Sequence, residues 1–133
     1  MTPATFRTLR EACGLSQQDA ASFLGVAIRT IAHWETGRNS VPAGAAADLQ
    51  ALNDRIEAGV RNVLALAAEL SAQHGQPDDI VLTRYRSADD YQGSRADQEG
   101  LLWPCHNAML ARAMVALRRQ GRAVALAYAQ VQG

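Results

Sequence analysis

Several features that identify common classes of protein are missing from this sequence. There is no lysine, only two cysteines occur in 133 residues, and no apolar run is long enough to span a membrane. Cys13 and Cys105 are too few for a disulfide framework, and Cys13 is interpreted as a small core residue. Because no nucleophile–base pair, metal-ligand cluster or phosphate-binding glycine loop is recognisable, we expect neither an enzyme nor a cofactor.

The net charge is zero, since 13 arginines balance 13 aspartates and glutamates. A neutral chain has no general attraction to nucleic acid, so a nucleic-acid-binding face would have to be local. The planar fork of arginine suits phosphates and guanines, although arginine beside frequent alanine also fits a bias in genomic base composition. The first ten residues, MTPATFRTLR, lack the apolar core of a signal peptide, so we expect a cytoplasmic protein without a membrane partner.

Residues 16–38 have the pattern of two short helices joined by a tight turn. Ser16 is a favourable N-cap for the first of them. Gly25 can take a positive φ, which ends that helix and turns the chain. A second helix is predicted over residues 27–36, and its buried side holds Ile31 and Trp34. A helix, a glycine turn and a helix of this size form the unit that places its second helix in the DNA major groove.

Residues 9–42 resemble the Cro/CI-type (XRE) helix-turn-helix family of phage and bacterial repressors. The resemblance implies a lambda-repressor-like helical bundle, in which a first helix is predicted over residues 5–13 with Thr2 or Thr5 as its cap. Ala27 departs from the family, because a serine or threonine usually caps the recognition helix there. The matching residues are Leu15, Ser16, Gln17, Ala21, Leu24, Gly25, Val26, Ile31, Trp34, Glu35, Gly37 and Arg38.

The resemblance also implies roles for individual residues. An ion pair between Arg10 and Glu35 would hold the first helix to the end of the recognition helix, and losing one partner would leave a charge unpaired. Backbone contacts are expected at the flanks of the recognition helix and at the start of the preceding helix, whose N-terminus favours phosphate. The expected base contacts are Ile28, Arg29 and His33, and the expected DNA backbone contacts are Gln17, Gln18, Ala27, Thr30, Arg38 and Asn39.

Each of the three base contacts has an alternative. Arg29 is predicted to bond guanine O6 and N7, which discriminates between bases by about 1–3 kcal/mol, but a phosphate contact would also suit it. His33 lies one turn further on and reaches a base or a phosphate, or is simply exposed to solvent. Ile28 either packs on a thymine methyl group or marks a base pair with little hydrogen bonding.

Residues 43–73 continue with an almost uninterrupted helical pattern, whose apolar stripe needs a partner surface. Asn53 and Asp54 could divide this run into two helices. After a polar break, two strand patterns flank an amphipathic helix, with a polar loop and about one helical turn before that helix. These segments are residues 80–86 and 122–130 for the strands, 87–100 for the loop and 103–119 for the helix.

The predicted fold is therefore mainly α with a small β component. A helix-turn-helix DNA-binding domain is expected over residues 1–44, a joining helix or two helices over 45–76, and a strand-helix-strand dimerisation segment over 77–133. Two strands alone are marginally stable, so they need the long helix or the same strands of a second subunit. The residues predicted to form the dimer are Ile80, Leu82, Trp103, Leu110, Leu126 and Tyr128.

Two acidic pairs, Asp78–Asp79 and Asp89–Asp90, are interpreted as solvated loop carboxylates rather than as a cation site, because no further spaced oxygen ligands accompany them. The adjacent Cys105 and His106 would point about 100° apart on a helix, and no second pair of ligands exists. We therefore predict no metal site.

The layout of the whole chain resembles the anti-CRISPR-associated repressors and related short regulators. That resemblance implies a homodimer that binds an inverted repeat in its own promoter and blocks polymerase. The alternative is an antitoxin, whose C-terminal half would bind a toxin protein. Arg84, Arg86 and Arg95 are candidates for binding RNA. The alternative is that these arginines lie on a strand and loop face exposed to solvent. The residues that match this subgroup are Trp34, Glu35, Gly37, Arg38, Val41, Pro42, Arg84, Tyr85, Tyr91, Trp103 and Leu117.

Overall fold

In the computed structural model, which describes residues 1–75 and 79–130, the chain is mainly helical with a small sheet near its C-terminal end. The predicted fold class is confirmed. No helix within these residues combines enough length with enough apolar character to cross a membrane. The elements are α1 Pro3–Ala12, α2 Gln17–Leu24, α3 Ile28–Thr36, α4 Ala43–His74, β1 Ile80–Arg84, α5 Ala88–Tyr91, α6 Arg95–Gln98, α7 Trp103–Arg119 and β2 Val124–Tyr128.

The first three helices begin and end at residues whose chemistry favours helix termini. Thr2 caps α1 by accepting a hydrogen bond from a backbone N–H of the first turn, at 3.1 Å. Ser16 and Asp19 form a reciprocal capping box at the start of α2. Gly25 and Gly37 end α2 and α3 at φ values of 69° and 81°, which a side chain would strain. The caps predicted at Ser16, Gly25 and Gly37 are confirmed, and Thr2 rather than Thr5 caps α1, which runs over Pro3–Ala12 instead of the predicted residues 5–13.

The chain forms two compact units, and the first extends from Met1 to Arg55. The rings of Phe6 and Trp34 meet edge to face in its core, with centroids 5.6 Å apart, an arrangement that favours aromatic pairs. The unit continues past residue 44, because Leu49 and Leu52 in the first turns of α4 are fully buried. Its other buried apolar residues are Cys13, Leu15, Ala20, Ala21 and Ile31.

The long helix α4 runs without interruption over Ala43–His74. The break considered at Asn53 and Asp54 does not occur, because these residues cost only about 0.5–0.7 kcal/mol each in a helix interior. Leu52 and Ile56 lie four residues apart on one face and are fully buried, so packing outweighs that cost. The predicted boundary between residues 76 and 77 lies outside the described residues.

The second unit begins at Ile56 and contains a two-stranded parallel sheet. Ile80 pairs with Val124 and Leu82 with Leu126, and α7 lies between the two strands in the sequence. One face of the sheet packs on Ala67 of α4 and Leu117 of α7. Both strands are shorter than predicted, since pairing ends at Arg84 and Tyr128, and the segment before α7 holds two short helices rather than one turn.

A cluster of aromatic residues secures the connection between β1 and α7. The ring of Tyr91 lies 5.4 Å from that of Tyr85 and 5.3 Å from that of His106, measured between centroids. The Tyr91 hydroxyl donates to the carbonyl of Leu101 at 2.6 Å, and the Trp103 indole donates to the carbonyl of Tyr85 at 3.3 Å. These contacts hold the short helices α5 and α6 against the N-terminal end of α7.

Candidate nucleic-acid interface

The turn between α2 and α3 sets the direction in which α3 leaves the first unit. Gly25 adopts a left-handed conformation, and the N–H of Val26 donates to the carbonyl of Ala21 at 3.0 Å. The side chain of Val26 is half-buried, so it anchors the turn in the core. α3 then begins at Ile28, one residue later than predicted, and Ala27 occupies the cap position without a side-chain hydrogen bond. The expected weak cap is confirmed.

α3 has one buried side and one exposed side. Ile31 and Trp34 lie in the core, which leaves Arg29 on the opposite side of the helix, exposed to solvent. Ile28 flanks Arg29 in the first turn, and 46% of its surface is exposed. Arg29 therefore offers hydrogen-bond donors, and the neighbouring Ile28 offers an apolar contact surface.

The exposed side of α3 continues for two further turns. His33 lies four residues beyond Arg29 and is half-buried, while Thr30 is half-buried on the flank of the helix. Thr36 is exposed seven residues after Arg29, so it shares this side of the helix, and its hydroxyl lies 3.4 Å from the carbonyl of His33. Sequence reasoning missed Thr36, although the 3.6-residue period gives its position.

A buried polar network connects α1, α2 and α3. The Nε atom of Arg10 donates to Glu35 Oε2 at 2.6 Å, and its Nη2 atom donates to Glu35 Oε1 at 2.9 Å. Arg10 Nη1 also donates to the carbonyl of Leu15 at 2.8 Å. Gln17 donates to Glu35 Oε1 at 3.3 Å, so the carboxylate accepts hydrogen bonds from two helices. The network fixes the end of α3 against the start of α2.

The network shifts the pKa values of both ionic partners. The hydrogen bond to Glu35 raises the pKa of Arg10 above its ordinary value, and this outweighs the opposing effect of burial. Burial opposes ionisation of Glu35, but hydrogen bonds from Arg10 and Gln17 prevail and hold the pKa of Glu35 below its ordinary value. Each ion therefore stabilises the charged form of the other in the folded unit.

The predicted backbone contacts lie around α3. Gln17 and Gln18 occupy the first turn of α2, where backbone N–H groups have no carbonyl partner within the helix. The side chain of Gln17 is engaged with Glu35, whereas that of Gln18 is exposed. Arg38 and Asn39 follow α3 and are both exposed, and the N–H of Asn39 donates to the carbonyl of His33 at 3.2 Å.

Positive charge in this unit is confined to a few side chains. Arg7 pairs with Glu11 on α1 and Arg10 pairs with Glu35, so neither of these two arginines contributes a free cation. Arg29 and Arg38 are exposed, and in the part of the chain that the structure describes neither forms an ion pair. Arg29 and Arg38 therefore place two exposed cations on α3 and directly after it.

Residues 4–62 match the family model of a helix-turn-helix domain. The N-terminal part of the chain is a helix-turn-helix domain. No curated protein matches the chain. A domain of this kind suggests DNA binding, and regulators that carry it are typically not enzymes. The matched residues include α1, α2, α3 and the first turns of α4, which are the elements that expose Arg29 and its neighbours.

The residues predicted to form the dimer have different environments in the second unit. Leu110 is buried on α7, with 5% of its surface exposed. Ile80 and Leu82 pack against the buried cluster of Ala67, Leu117 and Val124 and are half-buried, as is Trp103. Leu126 and Tyr128 remain exposed at 39% and 51% of their surface. Only these last two present a large free surface among the predicted set.

The remaining candidate groups do not converge on one site. Asp78 lies outside the described residues, and within residues 1–75 and 79–130 no three histidine, cysteine or acidic side chains come together. Arg84 is exposed, the guanidinium of Arg86 lies 4.1 Å from the ring centre of Tyr128, and Arg95 pairs with Glu99 at 3.0 Å. Two of the three arginines considered for RNA thus have partners in their own chain.

Proposed function

We propose that this chain is a sequence-specific transcriptional repressor that acts as a homodimer on an inverted-repeat operator, and that it regulates its own gene. The observation that supports this proposal best is the exposed side of α3, where Ile28 and Arg29 stand free in a helix-turn-helix domain. A bound dimer would block access of polymerase to the promoter.

In this proposal α3 enters the major groove with its exposed side toward the base edges. The guanidinium of Arg29 donates two hydrogen bonds to O6 and N7 of a guanine. Ile28 packs on the C5-methyl group of a thymine, and His33 contacts a base further along the groove. The phosphate and sugar contacts that set the register come from residues around the helix. They are Gln17, Gln18, Ala27, Thr30, Arg38 and Asn39.

The homodimer would read two half-sites whose centres lie about one helical turn apart, roughly 34 Å. A two-fold symmetric protein matches the symmetry of an inverted repeat, so each copy of α3 meets the same sequence. Dimerisation is assigned to the second unit, where Leu126 and Tyr128 are the exposed members of the predicted set. The buried Leu110 has no part in it.

A selection from randomised DNA duplexes, followed by affinity measurements at a stated salt concentration, tests this proposal. We expect the purified full-length protein to select an inverted repeat that also occurs upstream of its own gene. Arg29→Ala should weaken binding by about 1–3 kcal/mol per half-site and relax the preference at one symmetric base pair. Arg7→Ala is the matched control, because it also removes one arginine, but from α1, where Arg7 pairs with Glu11.

Two outcomes would contradict the proposal. One is the failure of selection to enrich any sequence, and the other is an Arg29→Ala protein that retains the full affinity and preference of the original. Enrichment of a single half-site without its inverted repeat would contradict the dimeric mode of binding while leaving the helix-turn-helix contacts intact.

A second candidate function is that of an antitoxin, with the same DNA-binding unit and a C-terminal unit that binds a toxin protein. It is favoured by the large apolar side chains that the second unit exposes, because contact with a toxin protein would bury such side chains. Coexpression with the product of an adjacent gene distinguishes the two functions. An antitoxin would relieve growth arrest by that product and form a stable complex with it. The exposed side chains are Leu66, Leu70, Val81, Val115, Leu126 and Tyr128.

A further inference from the structure

The residues of β2, at one edge of the two-stranded sheet, are neither charged nor proline. Residues 123–130, AVALAYAQ, include the whole of β2 and contain no ionisable group except the phenol of Tyr128. Within the described residues the sheet consists of β1 and β2 alone, so β2 is an edge strand. Edge strands are normally protected from further pairing by charged residues, prolines or bulges. β2 has neither of the first two.

The hydrogen bonds to β1 determine which backbone groups of β2 face this edge. The N–H of Ile80 donates to the carbonyl of Ala123 at 2.9 Å, and the N–H of Ala129 donates to the carbonyl of Arg84 at 2.8 Å. In a parallel ladder the residues that bond to the neighbouring strand alternate along the chain. The odd-numbered residues of β2 therefore bond to β1, and the even-numbered residues direct their N–H and C=O groups outward.

Three residues of β2 have these outward backbone groups, and one of them is already in use. The carbonyl of Val124 accepts a hydrogen bond from Arg118 Nη2 at 3.2 Å, which is consistent with its outward direction. Leu126 is the middle residue of the three, and Tyr128 is the last. Val124 is buried, whereas the side chains of Leu126 and Tyr128 extend beyond the cover that the helices provide.

We infer that β2 pairs antiparallel with β2 of a second copy, about a two-fold axis that passes beside Leu126. The two sheets then form one continuous sheet of four strands. Leu126 and the partner's Leu126 exchange both N–H···O=C hydrogen bonds. They form a hydrogen-bonded pair, which requires residues whose backbone groups face outward. Val124 lies opposite the partner's Tyr128. This inference rests on the proposed homodimer and specifies its interface.

A second copy of this chain fits the edge for three reasons. The residues that antiparallel self-pairing places directly opposite each other carry no charge, because residues 123–130 are uncharged. A two-fold contact between identical strands is closed, whereas pairing β2 with the β1 edge of another copy would continue indefinitely. Two strands alone are only marginally stable, whereas four strands with an apolar face can be stable independently.

The opposite edge of the sheet is less suited to pairing. Asp79 directly precedes β1 and Arg84 is its last residue, and charged side chains at an edge discourage a further strand. The two edges therefore provide a matched comparison within one sheet.

Substitutions at the two-fold axis test the inference in the full-length chain. Leu126→Lys and Leu126→Glu each place like charges opposite each other, so we expect the dimer dissociation constant to rise about tenfold or more in sedimentation experiments. An equimolar mixture of the two proteins should restore a dimer, because lysine then faces glutamate. Val81→Lys is the matched control, since Val81 lies on β1 with 59% of its surface exposed. The Val81→Lys protein should dimerise normally.

Amide hydrogen exchange of the unsubstituted protein provides a second measurement that needs no variant. The N–H groups of Leu126 and Tyr128 should become protected as the protein concentration rises, while those of Val81 and Thr83, which face outward from β1, should not. Unprotected Leu126 and Tyr128 amides in the dimer would overturn the inference.

The outcomes separate this inference from the function on which it rests. A dimer that tolerates Leu126→Lys, or a mixture that fails to recover the dimer, overturns the β2 pairing and leaves the homodimer standing. An unsubstituted protein that is monomeric at every concentration and on its DNA overturns both. Pairing of β2 with an extended segment of a different protein, in place of a second copy, would also refute it.

Discussion

The ion pair between Arg10 and Glu35 allows a quantitative test of what holds the DNA-binding unit together. Arg10→Met keeps an aliphatic chain in place but leaves the Glu35 carboxylate buried without its cation. Only 4% of the Glu35 side chain is exposed, so water cannot replace the lost partner. Removing one member of a buried pair typically costs about 3–5 kcal/mol, a large part of the roughly 5–15 kcal/mol that stabilises a domain.

The two tryptophans make it possible to measure this loss in each unit separately. Trp34 lies in the core of the first unit and Trp103 begins α7 in the second. Labelling with 5-fluorotryptophan should give one fluorine NMR signal for each unit during unfolding by urea. We expect Arg10→Met to shift the transition of Trp34 to lower urea concentration and to leave that of Trp103 nearly unchanged.

Two further variants decide whether the loss arises from the pair itself. Arg7→Met removes an exposed ion pair on the same helix and should cost less than about 1 kcal/mol. The double variant Arg10→Met, Glu35→Leu removes both charges, so much of the stability lost in the single variant should return. Two results would contradict this account of the ion pair. One is that Arg10→Met is no more destabilising than Arg7→Met. The other is that the double variant loses as much free energy of unfolding as the single variants Arg10→Met and Glu35→Leu lose together.

The same pair predicts a dependence on pH. Because the pKa of folded Glu35 is lowered, its stabilising contribution is complete above the ordinary value of 4.5 and is lost as the pH falls through the folded pKa. The transition of Trp34 should therefore weaken in acid in the original protein. The double variant lacks that contribution and should show a smaller change over the same range.

Two other predictions concern the second unit and the DNA contacts. Burial among aromatic rings, and then the charge of Arg84, lower the pKa of His106, so the unfolded chain takes up a proton first on acidification. The second unit should lose stability as the pH falls below about 6.5, and His106→Gln should reduce that loss in the Trp103 transition; an unchanged loss would contradict this account. Arg38→Ala should reduce the salt dependence of DNA binding by about two phosphate contacts per dimer, measured as the slope of log affinity against log salt, whereas an unchanged slope would exclude the contact.

The parts of the fold that sequence could predict are those decided by local chemistry. Ser16 and Asp19 are three residues apart, so a capping box can be recognised without any knowledge of the tertiary structure. Gly25 and Gly37 stand where only a residue without a Cβ turns easily. The positions of α2, the turn and α3 follow from these residues and from the spacing of Ile31 and Trp34.

The parts that sequence could not predict depend on contacts between distant segments. An alternating pattern in β2 indicates a strand but does not say that it runs parallel to β1, or which backbone groups remain outward. The same limit affects Leu110. Its apolar character suits an interface as well as a core, and only the position of α7 shows that its side chain is buried. The hydrogen bond from Gln17 to Glu35 joins residues 18 positions apart and has no sequence signature.

A neutral chain that binds DNA must obtain its affinity differently from a strongly basic one. With Arg29 assigned to a base, Arg38 is the arginine proposed to contact phosphate in each subunit, so we expect the non-specific, salt-dependent part of binding to be small. We expect the base contacts in one half-site to be too few for tight binding, and the proposed dimer would strengthen binding by joining two half-sites without adding charge. In this proposal the pairing of β2 and the few cations around α3 act together, so that specificity would depend on symmetric assembly more than on electrostatic attraction.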